Sequence, residues 1–132
     1  MRATVEVDVD VNKVWGDVWS NDGNGFAYWC TAVRDVIDGV RQDSFSAWKR
    51  DANGKIAEDD KGDWIPNPHD FAVLDGEDNV WHTVTVEALV KGWLKARNSG
   101  LTHCGGYSLD DPDACVEDYY LQYAAFGDLI FG

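Results

Sequence analysis

The last stretch of the chain, Asp111 to Gly132 (DPDACVEDYYLQYAAFGDLIFG), sets the terms for everything before it. Asp is a favoured helix N-cap, Pro suits the first helical position, a carboxylate complements the helix N-terminus and glycine ends a helix. Asp111, Pro112, Asp113 and Gly127 therefore bracket a helix from about Pro112 to Phe126. Val116, Tyr119, Tyr120, Tyr123 and Phe126 fall near one side of it by 3.6-residue spacing, and Leu121, Ala124 and Ala125 cover much of the other. A helix apolar on both sides is expected to be nearly enclosed. The apolar run Leu129-Ile130-Phe131 behind it could close a sheet, which would end the chain inside its own core.

What encloses that helix reads in order along the chain. Ala3, Val5, Val7 and Val9 alternate with polar residues, the period of a half-buried strand. From Val11 the period changes: Val11, Val14, Trp15, Val18 and Trp19 follow helical spacing, with Asp10 as cap and Gly16 as a weak point. The turn-forming run Ser20 to Gly25 ends this helix. Phe26 to Asp38 fits both periods, and its β-branched residues favour a strand from about Trp29. Phe71 to Leu74 and Val80 to Val84 are two β runs joined by Asp75 to Asn79 as a hairpin. Thr85 then caps a helix striped by Val86, Leu89, Val90, Trp93 and Leu94, stopped by Asn98-Ser99-Gly100. Leu101 to Asp110 is a glycine-containing link.

The least regular region is about residues 40–70. Trp48 and Ile56 flank Asn53-Gly54, which suggests a protruding hairpin around a type I′ turn, and mobility is expected there. No internal repeat is evident. Together these pieces predict one α+β domain spanning residues 1–132. Its sheet is mostly antiparallel with four to five strands, packed against about three helices, the C-terminal helix being central.

Composition decides which functions to set aside. The formal charge is -13, from 24 acids against 11 bases, so the surface repels phosphate polymers and anionic lipid alike. Direct nucleic-acid binding is disfavoured, and no apolar run reaches the ~20 residues of a membrane span. Three cysteines cannot all pair within one chain, and nothing at Met1-Arg2 reads as a signal peptide, so a reducing cytoplasm is the expected compartment.

Several constellations carry candidate chemistry. Cys30, His82, His103, Cys104 and Cys115 lack the closely spaced pairs of a zinc site, and a buried thiol at Cys115 with a loop thiol at Cys104 is the simpler reading. Asp51, Asn53, Gly54, Ile56 and Asp60 overlay part of a calcium loop, but its first ligand position would be Lys49. His82 lies on the same strand face as Val80 and Val84 and reads as a hydrogen-bonded core histidine. Tyr107, Tyr119, Tyr120 and Tyr123 could line a pocket for a planar ligand, but a Tyr-rich helix is more often packing with its hydroxyls led to water. Asp110, Asp111, Asp113, Glu117 and Asp118 form an acidic cluster. The first three suit a helix start and the other two are expected on its wet edge, together forming a binding surface. Trp48 and Trp64 are candidate interface aromatics. No nucleophile elbow, phosphate loop or dinucleotide fingerprint is present, so the expectation is a non-enzymatic protein with no catalytic residue, metal or cofactor.

Certain pieces also resemble a known group. Tyr28-Trp29 after a glycine loop, the V-x-x-TVTVEAL join from Val80 to Leu89, and above all the ending Leu121 to Gly132 resemble small uncharacterised proteins of tailed bacteriophages, especially those infecting actinobacteria. The likeness covers about the first forty and last sixty residues. Residues Arg41 to His69 have no part in it. The resemblance implies an accessory protein of the infected cell's cytoplasm and transfers no catalytic residue.

The reading that follows is a small acidic accessory protein that binds a host or phage protein. In its sharper form it would inhibit a host defence by presenting carboxylates as a nucleic-acid mimic to a basic, nucleic-acid-binding partner. A nucleotide or other small-molecule sequestering protein is the second reading, and a homo-oligomeric assembly factor the third.

Overall fold

The structure, a computed structural model, describes residues 9–20, 23–99, 102–103, 107–108 and 114–131. Its element order is α1 (Val11–Trp19), β1 (Cys30–Ile37), β2 (Val40–Arg41), β3 (Phe71–Asp75), β4 (Val80–Val84), α2 (Val86–Asn98), β5 (Thr102–His103), β6 (Tyr107–Ser108) and α3 (Ala114–Phe126). The four longer-range strands form one antiparallel sheet in the order β2-β1-β3-β4, and β5 pairs with β6 separately. The fold is α+β, as the alternation of sequence periods predicts.

Local chemistry accounts for each element. Asp10 caps α1, its side chain accepting from Asn12 N at 3.0 Å, and Val14, Trp15, Val18 and Trp19 are the buried stripe. At the β1–β2 turn Asp38 and Gly39 both take positive φ (51° and 78°), the signature of a two-residue type I′ hairpin. Thr85 caps α2 by accepting from Ala88 N, and Asp70 takes the neighbouring Val86 N–H, so two orphan donors of that helix are satisfied from outside it. Gly127, at φ 75°, ends α3 by donating its N–H to Tyr123 O.

The core lies between one face of the sheet and the helices. Trp15, Trp19, Phe26, Trp29 and Phe71 meet there at ring separations of 5.3 to 6.3 Å. Burying each contributes about 1.5–3 kcal/mol before entropy is counted. The α2 and α3 helices pack so closely at Gly92 that a Cβ there would stand 2.5 Å from Ala124 N. Burial on α3 differs from a plain apolar stripe, because Val116, Glu117, Asp118, Tyr120, Leu121 and Gln122 are all buried, whereas Tyr119 and Tyr123 are half-buried.

Three expectations need correction and two fall outside the described residues. Leu129-Ile130-Phe131 adds no strand: Gln122 Oε1 accepts from both Ile130 N and Phe131 N at 2.8 Å, occupying the groups a sheet would have used. The Asn53-Gly54 turn is not type I′, since only Gly54 has positive φ; Gly54 N donates to Asp51 O, giving a three-residue turn with a bulge glycine. An internal repeat does exist. Asp51-Ala52-Asn53-Gly54 is reproduced eight residues later by Asp59-Asp60-Lys61-Gly62, whose glycine also has positive φ and donates to Asp59 O. In each turn the leading Asp accepts two N–H groups, Asp51 from Asn53 and Lys55 and Asp59 from Lys61 and Asp63. The N-terminal strand expected from Ala3, and the cap residues Asp111 to Asp113, lie outside the described residues.

The repeat builds residues 48–66 into a closed ring of three bridges: Arg50 with Ile56, Glu58 with Trp64, and Pro66 back to Trp48. The middle residue of each side passes its hydrogen bond around the ring, Lys49 N to Ile65 O, Ile65 N to Ala57 O and Ala57 N to Lys49 O. This three-sided cap stands beside β1.

Candidate functional site

The cap and β1 enclose a groove of about 450 Å³ whose walls are largely aromatic and aliphatic. Trp19 and Phe26 come from α1 and the turn after it, Phe45 from the segment leaving β2, and Trp48, Ile56 and Trp64 from the three sides of the cap. The period-eight ring is why the last three converge, since they hold equivalent positions in it. Trp48 and Trp64 meet edge to face at 5.7 Å, with Trp64 44% exposed and Trp48 half-buried. Arg50 stands at the same wall, its guanidinium donating to Ser46 Oγ and Gly54 O. The sequence singled out both tryptophans; Trp19, Phe26 and Phe45, their partners from outside the cap, are drawn from segments that no local pattern connects to it.

Cys30 also lines the groove, but its thiol donates to Ala32 O and burial pushes its pKa up to about 11. It is held as a thiol rather than a nucleophilic thiolate. His69 is placed between two acceptors, with Nε2 2.6 Å from Asp35 Oδ1 and Nδ1 2.5 Å from Asn67 O, while its ring packs on Trp15 and Phe45. Ser46 gives its backbone N–H to the same Asp35 oxygen, but its hydroxyl donates to Trp48 O. The His–Asp–Ser grouping therefore joins the cap to β1 and presents no hydroxyl to the imidazole. Nothing in the sequence brought these three together, because they are separated by long intervals and share no motif.

The acidic cluster is divided. Asp110, Asp111 and Asp113 lie outside the described residues. Glu117 and Asp118 are 1% and 7% exposed, so they belong to the interior and not to the wet edge expected of them. For Asp118 the reason is a set of donors converging on it: Trp29 Nε1 at 2.7 Å and Gln122 Nε2 at 2.9 Å reach Oδ1, and the Tyr28 hydroxyl reaches Oδ2 at 2.6 Å. Partial burial, then the neighbouring Asp118 carboxylate, push the Tyr28 phenol well above the ordinary tyrosine range. Gln122 links this network to the chain end, donating to Phe131 O while Phe131 stacks on Trp29 at 13° between planes. The network is a fastening for the terminal segment, with all four side chains engaged with one another.

Of the other candidates, His82 packs its ring edge to face on Phe126 at 4.8 Å. Asp51 spends its carboxylate on the turn that the calcium overlay covered. Among the described residues no three His, Cys, Asp or Glu side chains come together in a metal-binding arrangement, and no helix is long and apolar enough to cross a membrane. The side chains of His103, Cys104 and Tyr107 lie outside the described set. No family model, curated protein or solved structure matches the chain.

Proposed function

We propose that this protein is a non-enzymatic accessory protein that captures a basic segment of a partner protein in the groove between β1 and the three-sided cap. The observation that carries the reading is the Trp48–Trp64 pair, two large rings held edge to face at the mouth of an apolar groove, one of them nearly half exposed. Exposed tryptophans at a concave apolar site are the residues that most often dominate binding energy. The basic character of the partner follows from the charge of -13, which attracts cationic surfaces over a distance and speeds their encounter. A phage origin and a cytoplasmic place of action remain part of this proposal, on the likeness of the ending Leu121 to Gly132. Duplex mimicry has less support than groove binding, because Glu117 and Asp118 are interior.

The test uses synthetic Lys-rich peptides with and without a central Phe or Trp, followed by calorimetry at low and physiological salt. The anchored peptide should bind more tightly, and Trp64→Ala should weaken it by roughly 10-fold or more, the scale of a truncated interface anchor. Equal binding of both peptides, or binding indifferent to Trp64→Ala, rejects the proposal. A groove of about 450 Å³ also falls within the size of small-molecule sites. A thermal-shift response to nucleotides that Trp64→Ala abolishes, without peptide binding, would move the reading to a sequestering protein.

A further inference from the structure

The second face of the main sheet carries two arginines in a strongly acidic chain. By register, Val36 pairs with Arg41, Arg34 with Ala72 and Ala72 with Thr83, and Leu74 with Trp81, so these side chains share the face turned away from Phe71 and Val73. Arg34, Val36, Arg41, Leu74, Trp81 and Thr83 are absent from the core cluster and from the side chains packed on it. Arg41 and Thr83 are exposed and the other four half-buried. The Arg41 guanidinium lies 4.2 Å above the Trp81 ring. Arg34 donates to its neighbour's carbonyl, Val33 O. Neither arginine has a carboxylate partner among the described residues. In a chain with 24 acids, two guanidinium groups on one sheet face, neither ion-paired among the described residues, are an unexpected grouping.

We infer that this sheet face docks an acidic segment of a partner protein, one that sets carboxylates on Arg34 and Arg41 and an apolar side chain against Val36, Leu74 and Trp81. A guanidinium stacked on an aromatic ring keeps its N–H edge free and has already lost much of its rotamer freedom, so it can fork onto a carboxylate at small further entropic cost. Single-stranded nucleic acid would find the same stacking ring and cations. It is the weaker match, because a polyphosphate brings a full negative charge with every nucleotide against a protein of charge -13, whereas a short segment that alternates carboxylates with apolar side chains meets less of that repulsion. The six residues are distinct from those lining the Trp48–Trp64 groove, so the two proposals succeed or fail independently.

The experiment titrates the full chain into a short fluorescein-labelled peptide of alternating Glu and Val, with a Lys–Val peptide and labelled oligo-dT as the other probes. Anisotropy should show saturable binding of the Glu–Val peptide that weakens as salt rises. Arg41→Glu should weaken it by about 10-fold or more, with Arg41→Lys intermediate because the ammonium keeps the charge and loses the fork. Arg41 is exposed, so its variants should melt like the parent; if Arg41→Glu does not, Arg34→Glu serves the same purpose. Binding of the Lys–Val peptide that Trp64→Ala removes reports on the groove and not on this face. Absence of saturable Glu–Val binding, equal binding by a well-folded Arg41→Glu, or tighter binding of oligo-dT overturns the inference. So does self-association in sedimentation that Arg41→Glu removes, since the occupant would then be a second copy of this chain.

Discussion

Replacing Gly92 with alanine tests the central packing claim, because two opposing effects can be sized and one is expected to dominate. In an exposed helix the change would gain about 1 kcal/mol from helix propensity. At Gly92 the new methyl carbon would stand 2.5 Å from Ala124 N, 2.7 Å from Ala124 Cα and 2.9 Å from the Tyr123 carbonyl carbon. All three are backbone atoms of α3, so no side-chain rotation relieves them, and α2 and α3 must separate by roughly 0.9 Å (3.4 less 2.5) to reach ordinary contact. That separation loosens Leu89, Trp93 and Ala96 against Tyr120 and Leu121, all buried. Overpacking costs about 1–3 kcal/mol, and a rigid backbone on the far side puts this case at the upper end. The net loss is then about 2 kcal/mol, or a fall in Tm of roughly 6–10 °C for a domain of this size. Urea unfolding followed by tryptophan fluorescence, with calorimetry for Tm, measures it. Unchanged or higher stability would show that the two helices do not cross at this distance, and the enclosure of α3 would have to be rebuilt.

Three further outcomes follow from the same structure. Asp118→Ala leaves the Trp29 indole, the Tyr28 hydroxyl and the Gln122 amide without their shared acceptor, and should cost about 2–4 kcal/mol in denaturant melts, with the fluorescence of Trp29 altered. Cys30 has its pKa raised from 9.0 to about 11 in the folded chain, so the folded state holds the proton more firmly than the unfolded one. Its contribution to stability is complete below pH 9 and is lost as pH rises through about 11, and native Cys30 should resist alkylation at pH 8 while reacting after denaturation. Asp51→Ala and Asp59→Ala each remove the acceptor of two turn N–H groups and should each cost about 1–2 kcal/mol, with matching losses because the turns are equivalent.

The parts of the fold legible in the sequence are those governed by local period and local capping. Asp10 and Thr85 cap their helices, Gly127 ends the last one, and the Phe71 and Val80 runs pair as a hairpin. The hidden parts depend on residues distant in sequence. Glu117 and Asp118 read as surface carboxylates because helix position alone gives no sign that Trp29 and Tyr28 will reach Asp118 across some 90 residues. The cap was masked for a related reason: its units agree in Asp and Gly but differ at most other positions, so the spacing of turn residues was the signal and overall similarity was not. Trp48 and Trp64 could be named early because large aromatics in a polar stretch are conspicuous. That Ile56 belongs with them required the ring.

A circuit of three sides can change its length only in certain ways. Since Pro66 closes back on Trp48 and successive sides follow at eight-residue spacing, removing one whole unit would leave two edges with no third to receive their hydrogen bonds, and removing an odd number of residues would reverse the facing of the positions beyond the gap. Side chains on the ring are under no such restriction, provided Asp51, Gly54, Asp59 and Gly62 stay. The cap is thus a frame whose outline is fixed by hydrogen-bond closure and whose outward side chains are free to be rewritten.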